Sequence, residues 1–147
     1  MISRKTKYAI HALLHLAKNK DEGPIQIKTI AEKERIPKKF LEAILIDLRN
    51  KGFVSSLKGR SGGYYINRDL KEINFADIIR MFDGPIGMLP CVTYMYYEPC
   101  EECDDEKTCA VRKVFKDVRD ESVKILKAAN LEEVIKTEQK LIKRKKG

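Results

Sequence analysis

Tryptophan is absent from the 147-residue chain, and histidine occurs only twice. Because there are so few imidazole groups, we do not expect histidine-based catalysis in this protein. No apolar run approaches the roughly 20 residues that a membrane-spanning helix requires, and the first residues lack the apolar region of a secretory signal. We therefore expect a cytoplasmic protein that makes no contact with a membrane. Its length suits one domain with a small appendage.

Charge is unevenly distributed along the chain. Residues 1–68 carry 15 Lys and Arg against 6 Asp and Glu, whereas residues 69–135 carry 9 against 15. The last stretch, residues 136–147, is basic again, with 6 against 1. A basic domain most often binds a polyanion such as nucleic acid, although a solvated charged surface explains the same balance. The basic first half and the acidic middle indicate different partners.

Apolar periodicity predicts three helices in the first 52 residues. The first runs from about residue 3 to residue 19, and the second is short. Pro37 then opens the third, whose apolar side carries Phe40, Leu41, Ile44, Leu45 and Leu48. His11 and His15 stand opposite the apolar stripe of the first helix, so we expect both on its polar face rather than in a metal site.

A glycine-rich turn follows the third helix, with a short β-prone run on each side. The turn reads Lys58-Gly59-Arg60-Ser61-Gly62-Gly63, which is typical of a β-hairpin and lacks the Gly-Lys-Ser/Thr ending of a phosphate-binding P-loop. Helix, helix-turn-helix and hairpin in this order predict a winged helix. The expected fold is mainly α with a small β-hairpin wing. The winged helix-turn-helix domain covers residues 1–84 and ends in a further helix capped by Asn74.

A recognition helix packs one face on its own domain and leaves its N-terminal turns free for the major groove of double-stranded DNA. Lysine reaches phosphates or guanine there, and Glu42 can accept a hydrogen bond from a cytosine amino group. On the wing, Arg60 suits a narrow minor groove. Each lysine alone could be an ordinary surface residue. The full set of predicted DNA-binding residues is Lys5, Lys28, Lys38, Lys39, Glu42, Lys58, Gly59 and Arg60.

Residues 85–108 show no helical periodicity and are predicted to form a sensor loop. Four cysteines with the spacing C-x8-C-x2-C-x5-C lie in it and at the start of the next helix: Cys91, Cys100, Cys103 and Cys109. In a chain without an export signal, a metal centre is more expected than disulfides, and zinc or an iron–sulfur cluster fits four thiols. Redox-switch or inert thiols are the alternatives.

A long amphipathic helix is predicted to start near Thr108. One small domain cannot cover its apolar stripe, so a second copy of the chain is expected to do so. Residues 109–135 are assigned to this dimerisation helix and a following helix capped by Asn130, and residues 136–147 to a frayed basic tail. The stripe consists of Val111, Val114, Phe115, Val118, Ser122, Ile125 and Leu126.

Three motifs of the chain are Ser3-Arg4-Lys5-x-x-Tyr8-Ala9, Ile36-Pro37-x-x-Phe40-Leu41-Glu42 and Val54-Ser55-Ser56-x-Lys58-Gly59-x-x-Gly62-Gly63-Tyr64. They resemble those of the IscR-type winged-helix transcription regulators, the Rrf family, which also includes NsrR and CymR. The resemblance covers about residues 2–135 and implies a homodimer that binds palindromic promoter DNA. It also implies a sensor that is often an iron–sulfur cluster, 2Fe–2S or 4Fe–4S, held by three cysteines that match Cys91, Cys103 and Cys109.

Two positions depart from the family pattern. Arg112 stands where IscR has a histidine beyond the last cysteine, and Lys5-Thr6-Lys7 stands where NsrR supplies an aspartate. Because a guanidinium offers no lone pair, we predict Cys100 as the fourth ligand, with water or a small molecule as the alternative. CymR-like members imply regulation without a cluster, through a partner enzyme. Zinc or thiol oxidation in place of the cluster is the other alternative. An enzyme is not expected, since no catalytic arrangement is evident.

Overall fold

The computed structural model describes residues 1–147. Eight regular elements follow one another, with short 3-10 turns at Lys20–Glu22, Leu70–Glu72 and Pro90–Val92. No helix among them combines the length and apolar character needed to cross a membrane. The elements are α1 (Arg4–Lys18), α2 (Ile27–Glu34), α3 (Lys38–Asn50), β1 (Ser55–Leu57), β2 (Gly63–Tyr65), α4 (Phe75–Asp83), α5 (Ala110–Ala128) and α6 (Leu131–Lys146).

Helix α1 is the centre of the core and contacts α2, α3, α4 and α6. Its buried leucines, Leu13 and Leu16, pack in one cluster with the inner faces of α2 and α3. The turn between α2 and α3 contains Arg35 in the left-handed conformation and the buried Ile36. Helix α3 is thereby held against α1 by one face, and its other face remains in solvent.

The wing is the antiparallel pair β1–β2, in which Ser56 lies opposite Tyr64. Ile25, just before α2, adds a third short chain segment through two backbone hydrogen bonds of 2.8 Å with Tyr64. Gly63 has φ +151°, and a Cβ there would lie 2.3 Å from the Ile25 carbonyl oxygen. The close approach therefore requires glycine at this position.

Two asparagines, Asn74 and Asn130, are the N-caps of α4 and α6. The Asn74 side chain accepts a hydrogen bond from the Asp77 amide, and the Asn130 side chain accepts one from the Glu133 amide, both at 3.0 Å. The prediction that these residues cap helices is confirmed. The start of α6 also belongs to the core, because Leu131 is fully buried and its amide donates to the carbonyl of Ile73 at 2.9 Å.

Four details differ from the expectations. Phe40 is 53% exposed rather than in the core, because it lies at the edge of the face that α3 turns toward α1. His15 is buried, since α2 packs over that side of α1. The long helix starts at Ala110, with Cys109 as its N-cap. The basic tail is not frayed: α6 continues to Lys146, with its cations at the favourable end of the helix dipole.

Candidate DNA-binding surface and cysteine segment

The outer face of α3 carries the residues predicted to read DNA. Lys38, Lys39 and Glu42 are all exposed in its first two turns, and none of them takes part in an ion pair within the chain. The opposite face is buried through Leu41 and Leu45. The helix therefore presents free charge to solvent while its position is fixed by the core.

The wing tip extends this charged surface. Lys58, Gly59 and Arg60 are exposed, and Gly59 adopts φ +106°, which favours glycine. The tip is joined to the start of α2, because the side-chain amide of Gln26 donates to the Arg60 carbonyl at 3.2 Å. Lys28, exposed in the first turn of α2, belongs to the same helix start.

Lys5 differs from the other predicted DNA contacts. Its ammonium group lies 3.0 Å from the Asp47 carboxylate and 5.4 Å from the centre of the Phe82 ring. These contacts join α1 to α3 and α4, and Asp47 already neutralises part of the lysine charge. Lys5 is thus the one member of the predicted set whose charged group forms an ion pair inside the chain.

The cysteine segment, residues 85–109, contains all four thiols, and all four are free. Cys100, Cys103 and Cys109 are half-buried and line one open pocket of about 400 Å³. Cys91 is buried in the 3-10 turn and lines, together with Cys100, a second pocket of about 270 Å³. Four thiols suit zinc or iron–sulfur chemistry, but no three Cys, His, Asp or Glu side chains are gathered around a common point for a metal ion.

Two of these thiols are held in the protonated form. The Cys100 thiol donates to the Glu102 carboxylate at 3.1 Å, and this hydrogen bond raises the pKa of Cys100 above its ordinary value. Burial, followed by a hydrogen bond and an electrostatic interaction with Cys109, raises the pKa of Cys103. Both thiols are therefore weak nucleophiles at neutral pH, and binding a metal would require them to release a proton.

Two arginines of α5 hold the first cysteine against that helix. Arg119 is 4% exposed; its guanidinium donates to the Val92 carbonyl and, at 3.0 Å, to the Tyr94 hydroxyl. One heptad earlier, Arg112 Nε donates to the Cys91 carbonyl at 3.2 Å. Sequence reasoning missed this role, and the seven-residue spacing that puts both arginines on one helix face was the available signal.

Only one of the two histidines lies in the environment that periodicity predicts: His11 is exposed, whereas His15 is buried. His15 Nδ1 lies 2.9 Å from one carboxylate oxygen of Glu34, and His11 Nδ1 lies 3.8 Å from the other. Both rings thus face one carboxylate of α2. The contact joins α1 to α2 and gives the buried imidazole a hydrogen-bonding partner, as buried polar groups require.

Comparison with known proteins decides the family. Residues 2–137 match the Rrf2 family, described as iron-dependent transcriptional regulators. The chain belongs to the Rrf2 family. An Rrf2-like HTH-type transcriptional regulator of Rhodobacter capsulatus is 41% identical to it over 138 residues, which cover 92% of each chain.

Solved structures of this family share the fold. CymR, the global cysteine regulator of B. subtilis, aligns with a TM-score of 0.77 and 33% identity over 91% of this chain and 95% of the other. IscR of T. potens aligns with a TM-score of 0.73 and 27% identity over 93% and 87%. The expected family, the winged-helix fold and the absence of enzymatic activity are confirmed: this Rrf2-family chain is a helix-turn-helix transcriptional regulator.

Proposed function

We propose that this Rrf2-family regulator binds double-stranded promoter DNA as a homodimer, acts as a repressor, and senses its signal through the cysteine segment. The observation that carries the proposal is the free charge on the first turns of α3 beside the wing. Lys38, Lys39 and Glu42 have no partner in the chain, and Lys58 and Arg60 extend the surface to the wing tip. Such a surface suits recognition in the major groove with a wing contact in the minor groove.

Helix α5 supports the homodimer. Several of its apolar residues remain exposed to solvent in the single chain, whereas the residues of the core are buried. A stripe of this kind on a helix is typical of a subunit interface, and a twofold axis would pair each α5 with its copy. The exposed members are Val111, Val114, Val118 and Ile125, and Phe115 is half-buried beside them.

An iron–sulfur cluster is the first candidate for the sensor. Cys91, Cys103 and Cys109 would hold it, with Cys100 as a fourth thiolate. When bound, such a cluster supplies a group whose state changes with exposure to oxygen or with the supply of iron. Zinc or reversible thiol oxidation is the second candidate. The arrangement of the thiols favours reversible oxidation in particular, because no three of them are gathered around a common point.

Binding to selected DNA tests the DNA-binding proposal. Selection from a random duplex library identifies an operator, and fluorescence anisotropy then measures Kd for Lys39→Ala, Glu42→Ala and Arg60→Ala. We expect each base-reading variant to lose about 5- to 100-fold. Lys124→Ala, which removes an exposed cation from α5, is the matched control and should bind as the wild type does. A wild-type protein that selects no sequence, or a complex insensitive to salt, would overturn the proposal.

Purification without oxygen tests the sensor. Visible absorption bands with bound iron and sulfide, lost in Cys91→Ser, Cys103→Ser and Cys109→Ser, support the cluster. If Cys100→Ser leaves the spectrum unchanged, Cys100 is not a ligand. A colourless protein that contains zinc, or no metal, selects the second candidate.

A further inference from the structure

Phe40 is an exposed aromatic residue on the helix that carries the DNA-reading charges. It lies in the first turn of α3 and is 53% exposed, whereas four other apolar residues of α3 are fully buried. Ala43, one turn later, is also exposed. Residues three apart on a helix are neighbours, so the two side chains form one apolar patch.

The Phe40 ring is held in place from behind. The half-buried Tyr8 ring of α1 meets it edge to face, with centroids 6.2 Å apart and planes inclined by 71°. Such aromatic pairs prefer this geometry, so the ring has a preferred orientation although it is in solvent. The patch is flanked by Lys39 and Glu42, residues that the proposed function places against DNA.

We infer that Phe40, with Ala43, reads the 5-methyl group of a thymine in the operator. A phenyl ring and a methyl group have neither donor nor acceptor, so they cannot read the polar edge of a base. In the major groove the thymine methyl is the apolar feature among the base edges. The inference rests on the proposed function and assigns a specificity-determining residue to the same surface.

Uracil substitution tests the contact, because uracil lacks the methyl group and keeps the hydrogen bonds of thymine. In the selected operator, each thymine is replaced singly by deoxyuridine, and anisotropy measures Kd. Burial of one methyl group corresponds to about a fourfold change in affinity, so we expect about a fourfold loss at one thymine position in each half-site. Other thymines should tolerate the replacement.

Protein variants assign that methyl contact to Phe40. Phe40→Ala should bind the thymine and uracil operators equally, whereas Phe40→Leu should retain part of the difference. Glu42→Ala is the matched control: it should weaken binding to both operators and keep the fourfold difference between them. Circular dichroism verifies that each variant is folded, and the exposure of Phe40 makes this the expected result.

Three results would contradict the inference, and each identifies a different cause. If the wild type binds its operator and no uracil position weakens binding, Phe40 does not read a methyl group, and DNA binding stands. If Phe40→Ala keeps the uracil effect at full size, another residue makes the contact. If no duplex sequence is selected at all, the proposed function fails, and this inference fails with it.

Discussion

Replacing Arg119 by alanine should release the cysteine segment from α5. The Arg119 guanidinium is almost fully buried, donates to the Val92 carbonyl and the Tyr94 hydroxyl, and lies 4.0 Å from the centre of the Tyr94 ring. It also contacts the neighbouring Asp120 at 2.6 Å. Alanine removes all of these contacts and leaves the buried Val92 carbonyl without its donor.

The size of the effect follows from these contacts. Leaving a buried carbonyl unpaired costs about 1–3 kcal/mol, and a cation–π contact contributes about 0.5–2 kcal/mol. The half-exposed Asp120 adds little, and removing a buried cation relieves part of its desolvation. We expect Arg119→Ala to lower the free energy of unfolding by about 3 kcal/mol. In a chain of this length that corresponds to a decrease in Tm of about 6–12 °C.

Thermal and urea unfolding, followed by circular dichroism at one protein concentration, measure this change. Lys113→Ala is the control on the same helix: its ion pair with Asp117 is short, at 2.6 Å, but exposed, so its loss should cost less than about 1 kcal/mol. Arg119→Ala should also increase the alkylation rate of the buried Cys91. A variant as stable as the control, with Cys91 still protected, would refute the role of Arg119.

Three further changes test other parts of the structure. Gly63→Ala should abolish operator binding while helical content is kept, because the added Cβ collides with the Ile25 carbonyl; normal binding would contradict the wing geometry. Burial acts to raise the pKa of Asp83, but hydrogen bonds from Ser3 outweigh it and hold that pKa below its ordinary 3.8. The stabilising contribution of Asp83 is therefore present at neutral pH and is lost as the pH falls below about 4. Asp83→Asn should therefore weaken the acid dependence of unfolding, and an unchanged pH profile would count against that contact. Phe115→Asp places a charge in the α5 stripe and should give monomers in sedimentation; a variant that still sediments as a dimer would contradict this interface.

Local patterns predicted much of this molecule correctly. The apolar spacing placed α1, α2 and α3, and the glycine turn placed the wing, since both depend on residues close in the chain. Asn74 and Asn130 were predicted as caps because capping needs only a short side chain and a nearby amide. The confirmed family resemblance rests on the same short segments.

Other features depend on contacts between distant segments. Helical periodicity separates an apolar face from a polar one, but it does not tell which neighbour covers each face. Glu34 of α2 gives the buried His15 a partner, and the edge position of Phe40 leaves its ring in solvent. The contact of Arg119 with Val92 joins residues 27 apart in sequence. No local pattern describes a contact of that range.

The sequence by itself determined the helices, their caps, the wing and the positions of the thiols, because short-range sterics and hydrogen bonding specify them. Only the tertiary structure decided which charges remain free for DNA, since pairing takes Lys5 out of that set and leaves Lys39 in it. It also decided that Cys91 is buried beside α5, whereas the other three thiols line one open pocket. The first outcome depends on the packing of α1 against α3 and the second on the packing of α5 against the cysteine segment, and such contacts between distant parts of the chain arise only once it has folded.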